Sequence, residues 1–346
     1  MTRGRVQGGE FVIGVTSDDA ALRDRAAGAM IGLACGDALA ATNEFGPPLP
    51  ADTPVAMAGG GLFEWEAGEW TDHTAMAIPI LRAAADGADL REESTLDRIV
   101  AEWLAWMPTA RDVGPQTVAV LNGVLPRAHA ARAAAQRVHL ATGMSAGSGS
   151  LMRTAPVALA YIHDPDPARV AAAARAISDL THYDHTAGDA CVIWSICVWT
   201  AIRSGECGIV EGIEAIPMPR RTLWSRLIAE AEVSRPEDFP DNGWVVEALQ
   251  AAWSAIAVSG CGRHGPDGQA GGIRQAVTSA VRGGHDADTV AALVGSLLAA
   301  ARGASAIPQE WVAPLHGSPG FRGRDLASLA VRAASRIPVP LARRRT

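Results

Sequence analysis

The 346-residue chain has no lysine, so all thirty of its basic side chains are arginine, set against thirty-seven Asp and Glu for a formal charge of −7. Without a basic stripe, and with only a short basic tail at 341–346, the sequence excludes the electrostatic footprint of a nucleic-acid partner. Cysteine is sparse and odd in number. Cys35, Cys191, Cys197, Cys207 and Cys261 form no C-x-x-C pair, which excludes a disulfide framework and a zinc ribbon and reads as reduced thiols in a cytoplasmic protein. The longest apolar run, 190–202, is broken by Ser195 and Thr200 and is too short to span a bilayer. Residues 1–20 mix charges and glycines without the apolar stretch of a signal peptide, so no membrane is expected. Clean strand alternation is absent outside the first dozen residues.

What is present is apolar and helical in period. At 48% hydrophobic residues the chain has ample material for a large core. No linker, charge block or repeat divides it, so one domain over 18–340 is expected, with an arm at 1–17 before it and the tail 341–346 after it. The fold class is all-α, a single compact packing of crossing helices. Helices are expected over 18–40, 75–85, 94–106, 115–125, 187–202, 242–253, 273–282 and 291–301, and one starting near Ser150. In the first of these, Gly28, Gly32 and Gly36 recur on one face. Each glycine costs a helix about 1 kcal/mol against alanine, so three in register predict the close approach of another backbone and make this the central helix. Trp103 and Trp106, three apart, belong to the core. His129 and His139 have no assigned role.

The stretch 282–290 reads Arg-Gly-Gly-His-Asp-Ala-Asp-Thr-Val. Asp286, Asp288 and Thr289 put two carboxylates and a hydroxyl at the mouth of an apolar helix. Such residues serve as helix caps, and they are also the oxygen donors that a hard cation takes. A second stretch of the same kind, Thr71-Asp72-His73-Thr74, stands before the helix at 75–85. One helix mouth needs one cap, and the pair of stretches favours the cation. Glu44, at the exit of the central helix, is either solvated or turned into that site. Gly147, Ser148, Gly149 and Ser150 form a small-residue loop ahead of an expected helix, either a plain flexible loop or a place where main-chain N–H groups hold an anion. The latter is how a protein without lysine can bind phosphates. His182 lies in Leu-Thr-His-Tyr-Asp-His, just before the buried helix at 187–202.

Taken in order, Gly-Leu-Ala-Cys-Gly-Asp-Ala-Leu at 32–39 with Glu44, Gly-Glu-Trp-Thr-Asp-His-Thr at 68–74, Gly-Ser-Leu-Met-Arg-Thr-Ala-Pro at 149–156, Leu-Thr-His at 180–182 and Gly-Gly-His-Asp-Ala-Asp-Thr at 283–289 resemble the ADP-ribosylglycohydrolase family. The resemblance covers about residues 22–315. It implies an all-α fold and two divalent cations, magnesium or manganese, at the floor of a cleft that takes ADP-ribose. Carried onto this chain, it implies Thr71, Asp72, Asp286, Asp288 and Thr289 as cation ligands, with His73 standing in the same motif. Glu44 and Asp72 become catalytic, Gly147 to Ser150 the phosphate loop, and His182 a wall of the ribose pocket.

One position departs from that pattern. The family reads Thr-Asp-Asp-Thr where this chain has His73, and imidazole suits manganese, iron or zinc better than magnesium. His73 is therefore expected to change the metal, lower its occupancy or leave a single-metal site. With His285 it could also make a nitrogen-rich one, or its ring could turn into a hydrogen bond. Two functions follow. One is a metal-dependent hydrolase that frees ADP-ribose from an acceptor on an ADP-ribosylated protein, such as arginine or serine, or from a modified small molecule. The other is a non-catalytic ADP-ribose or nucleotide binder whose hydrolysis His73 has weakened.

Overall fold

The computed structural model describes residues 17–259 and 271–335. The arm expected over 1–17, apart from its last residue, the tail 341–346, and Cys261 lie outside the described residues. The helices are α1 (Ser17–Ala40), α2 (Asp72–Ala85), α3 (Glu93–Trp106), α4 (Pro115–Leu121), α5 (Ala128–Thr142), α6 (Ala155–Ala160), α7 (Pro167–Ser178), α8 (His185–Ser204), α9 (Ile209–Glu214), α10 (Met218–Ala231), α11 (Val245–Val258), α12 (Gly271–Arg282), α13 (Ala287–Arg302), α14 (Gln309–Val312) and α15 (Gly323–Ala334). Among the described residues the only ladder pairs β1 (His316–Gly317) with β2 (Phe321–Arg322), so the fold is all-α, as the periodicity predicts. No described helix is long and apolar enough to cross a membrane.

The glycine row of α1 meets α13. A Cβ on Gly28, Gly32 or Gly36 would lie 2.1, 2.1 or 1.9 Å from the carbonyl oxygens of Ala299, Gly295 and Ala291, and one on Gly295 would lie 2.1 Å from that of Gly32. Only glycine permits this approach, and the backbone contact offsets its cost in helix propensity. Helix α8 is buried almost all round, as expected of a helix without a polar face, and it packs against α1, α7, α11 and α13. Buried apolar side chains from α1 to α15 form one connected core.

Several local expectations change: α2 begins at Asp72, three residues before the expected start, and α11 runs Val245–Val258 against the expected 242–253. The helix expected over 115–125 stops at Leu121, before Asn122 and the left-handed Gly123. The helix expected near Ser150 is instead a 3-10 turn, Ser148–Arg153, followed by α6. Pro156 stands in the first turn of α6, where its missing N–H costs nothing, so the α-helix begins only after the loop has passed.

The ends of α1, α2 and α13 converge on one side. His285 donates its N–H to the Gly46 carbonyl at 2.7 Å and accepts from Phe45 N–H at 2.7 Å, fastening the exit of α1 to the entry of α13. Gly284 has φ 71°, and a Cβ there would lie 2.5 Å from Pro48 N, so glycine is required. Ser148 N–H donates to Gly243 O and Val245 N–H to Ala146 O, each at 2.9 Å, which closes the far wall.

Candidate functional site

The stretch before α2 folds over a carboxylate of α1. Asp37, fully buried, accepts Thr71 N–H at 3.0 Å and the Thr71 hydroxyl at 2.8 Å on Oδ1, and Thr74 N–H at 3.0 Å and the Thr74 hydroxyl at 2.6 Å on Oδ2. Its carboxyl is held below the usual range: burial opposes this, but the bonds and charge from His73, Thr74 and Thr71 outweigh it. Thr71 precedes α2 yet its side chain caps nothing in that helix, and Asp286 precedes α13 without capping it either. The capping reading therefore fails for Thr71 and Asp286, whose side chains bond to Asp37 and His73 and to Ser148, while Asp288 does accept a first-turn N–H of α13, that of Thr289.

His73 lies at the centre. Its Nδ1 is 2.6 Å from the Thr71 hydroxyl and its Nε2 is 2.8 Å from the Thr289 hydroxyl. Nδ1 also stands 3.4 Å from Asp72, 3.5 Å from Asp288 and 3.6 Å from Asp37. Burial alone would lower its pKa, but the surrounding carboxylates, Asp288 first, hold it well above the ordinary histidine value.

Beside it, Glu44, Asp286 and Asp288 offer carboxylate oxygens within 4.8 Å of one another. Asp286 accepts a hydrogen bond from Ser148 Oγ at 2.7 Å and its N–H donates to Asn242 Oδ1 at 2.8 Å. Asp288 accepts Thr289 N–H on Oδ1 at 3.0 Å, while its Oδ2 and Glu44 Oε2 are buried with no hydrogen-bond partner. Buried carboxylate oxygens are costly unless something pairs with them. Burial, reinforced by Asp288 and Asp112, pushes Glu44 up to about 10, and burial pushes Asp72 up to about 7. Asp288 and Asp112 are raised as well, again chiefly by burial. Crowded, desolvated, hard oxygen donors of this kind fit a divalent cation.

The loop expected to hold an anion borders the same cavity. Ser148 Oγ, the backbone at Gly147 and Gly149, and His182 border the same cavity of about 550 Å³ that Glu44, Asp72, His73, Asp112, Asp286 and Thr289 line. His182 is buried and held well below the ordinary histidine pKa by burial and by Arg153, so its ring is neutral. Arg153 donates to Thr181 Oγ1 at 2.6 Å, and Thr181 Oγ1 is 2.7 Å from His182 Nδ1. His182 Nε2 faces Gly147 and Gly149: a Cβ at either would lie 3.5 or 3.3 Å from it. Arg153 itself is fully buried over the Trp103 ring at 4.2 Å.

Of the residues singled out in the sequence, Glu44, Asp72, His73, Gly147, Ser148, Gly149, His182, Asp286 and Thr289 meet in this cavity, and Thr71 and Asp288 lie beneath its floor. Ser150 turns away, its hydroxyl bonded to Ser178 at 3.0 Å and to the Cys191 thiol at 3.3 Å. His285 reaches the cavity wall but joins neither group of ligating side chains, so no nitrogen-rich pair forms with His73. Asp37 and Asp112 were missed. A lone aspartate inside the apolar run of α1 was the available signal for Asp37, whereas nothing near Asp112 in the sequence marks it.

The ADP-ribosylglycohydrolase family profile matches residues 18–341. The chain is 28% identical over 298 residues to an ADP-ribosylarginine hydrolase of Pseudomonas putida, covering 84% of this chain and 73% of that one. It is 28% identical over 307 residues to the ADP-ribosyl-dinitrogen reductase glycohydrolase of Rhodospirillum rubrum, covering 85% and 91%. A solved ADP-ribosylglycohydrolase-related protein complex superposes with TM-score 0.67 at 27% identity, over 91% of this chain and 98% of the other. With a profile matching nearly its whole length on a helical scaffold of the same kind, this chain belongs to the ADP-ribosylglycohydrolase family.

Proposed function

We propose that the protein hydrolyses the bond between the anomeric carbon of ADP-ribose and the guanidinium nitrogen of a modified arginine, with a divalent cation, magnesium or manganese, at Glu44, Asp286 and Asp288. The observation that carries this reading is the pair of buried carboxylate oxygens that make no hydrogen bond, Asp288 Oδ2 and Glu44 Oε2, at the cavity that Glu44, Ser148 and His182 line. A bound cation supplies charge neutralisation and Lewis acidity toward ribose hydroxyls and water.

The chain's own groups do the rest. The main-chain N–H groups of Gly147 and Gly149 and the Nε2 edge of neutral His182 suit a pyrophosphate or ribose oxygen. Asp72, raised to about 7, suits taking a proton from water near neutral pH, and Glu44 orients that water or the leaving nitrogen. The nucleophilic oxygen bonds to the anomeric carbon as the C–N bond breaks, leaving ADP-ribose and an unmodified arginine. Carboxylates also favour the positive charge that develops at such a centre. Arginine is the favoured acceptor because Glu44, Asp112 and Asp286 line the cavity with no arginine among them, and a relative is named for that linkage.

The test is release of free ADP-ribose from arginine-linked and serine-linked substrates with magnesium, manganese or chelator, beside Asp286→Ala. Release from the arginine-linked substrate should vanish with chelator. It should fall in the variant by more than the roughly 10–100-fold lost when a supporting outer partner is removed. The binder reading has His73 in its favour, and binding of ADP-ribose with no release under either metal would establish it instead.

A further inference from the structure

Two groups of ligand-bearing side chains share Asp288: Asp37 with His73, and Glu44 with Asp286. They differ in what their atoms already do. In the first group both oxygens of Asp37 are saturated, each accepting one N–H and one hydroxyl. The Thr71 hydroxyl has a single proton, and its nearest acceptor other than the imidazole is Asp37 at 2.8 Å. Thr71 Oγ1 also stands 2.6 Å from His73 Nδ1. Whichever of the two donates, Nδ1 has no free lone pair for a metal, and three carboxylates face it. The other nitrogen, Nε2, is engaged by Thr289 at 2.8 Å.

The ring is therefore bonded to Thr71 and Thr289 and faces Asp37, Asp72 and Asp288. It stands at the focus of five oxygen-bearing side chains, in the place a cation would take. The second group is the reverse case. Its oxygens Asp288 Oδ2 and Glu44 Oε2 make no hydrogen bond, and Asp286 accepts the Ser148 hydroxyl while its N–H donates to Asn242.

We infer that this protein binds one divalent cation where the family resemblance implies two: the ion sits among Glu44, Asp286 and Asp288, and the imidazole of His73 fills the neighbouring position. The inference deepens the hydrolase reading, since it rests on the same cation site. Its chemical consequence is that the remaining site is all-oxygen, so magnesium serves it as well as manganese. The histidine stands against the buried carboxylates without being a ligand.

Stoichiometry tests this directly. Protein stripped with chelator is dialysed to equilibrium against manganese, bound metal is counted by atomic emission, and the electron paramagnetic resonance spectrum is recorded at saturation. The expected result is one ion per chain with the resolved hyperfine lines of an isolated manganese. Asp286→Ala should lose it, and folded His73→Asp should bind two and show the broadened spectrum of a coupled pair. Two ions or none on the unaltered chain, one ion retained at full affinity by Asp286→Ala, or a single ion in folded His73→Asp would each overturn the inference. ADP-ribose release measured on the same protein separates the two claims. One ion without release keeps the stoichiometry and sinks the hydrolase, and two ions with release do the opposite.

Discussion

Asp37 never touches the cavity, yet it fixes the residues that do. Its two oxygens gather four donors from Thr71 and Thr74, and these set the direction of Asp72 and His73 at the start of α2. Asp37→Asn preserves shape but replaces one acceptor oxygen with an NH2 group, which then confronts two donors. Each buried donor left without a partner costs about 1–3 kcal/mol, so the variant should lose on the order of 2–6 kcal/mol of stability. A lowered urea midpoint with an unchanged slope is the expected readout. An unchanged midpoint would mean that the four bonds do not carry the start of α2. This residue also shows where reading the sequence stops. Asp286, Asp288 and Thr71 declared themselves by clustering near helix starts, but Asp37 acquires its meaning only when the chain returns 34 residues later. Asp112 has no marked neighbour in the sequence; it becomes part of the site because the loop before α4 lines the same cavity as Asp286.

At the scale of elements, the site depends on how closely α1 and α13 approach. Gly36 adjoins Asp37, and a Cβ on it would lie 1.9 Å from the Ala291 carbonyl, one turn beyond Asp288. Gly36→Ala must therefore push the helices apart at the point where Asp37 and Asp288 flank His73. Overpacking of a tight core costs about 1–3 kcal/mol and occasionally more, so thermal denaturation should show that loss and manganese titration a weaker affinity. Normal stability would contradict the backbone contact; lost stability with unchanged affinity would separate the packing from the site. The glycine period made this contact legible, because three unfavourable residues on one helical face need a physical reason. The 3-10 turn Ser148–Arg153 was not legible. Its small residues fit both a loop and a helix start, and the deciding factors were pairing with Gly243 and the hydroxyl bridge to Asp286, both far away in sequence.

At the scale of the whole molecule, a chain of charge −7 concentrates carboxylates in a buried site, and this links its stability to pH. Glu44 is raised to about 10, Asp72 to about 7, and Asp288 well above its ordinary value, whereas in the unfolded chain such groups titrate near about 4. Between those limits the folded state holds more protons than the unfolded, so stability falls as pH rises. His73 acts in the same sense, since its raised value gives stability that is complete below about 6.5 and lost as pH passes its folded pKa. His182 opposes this, but only below about 6.5, because above that pH its unfolded ring is neutral too. From about pH 7 to 9 these site groups therefore share one sign, and the chelated protein should melt at progressively lower temperature. A cation that binds the ionised carboxylates reverses the balance: its affinity rises with pH as protons are displaced, and it stabilises the folded state by mass action. Saturating magnesium should therefore raise the melting temperature more at pH 9 than at pH 7 and flatten its decline. Parallel declines with and without magnesium would mean that the buried carboxylates keep their protons and that the ion, if bound, sits elsewhere.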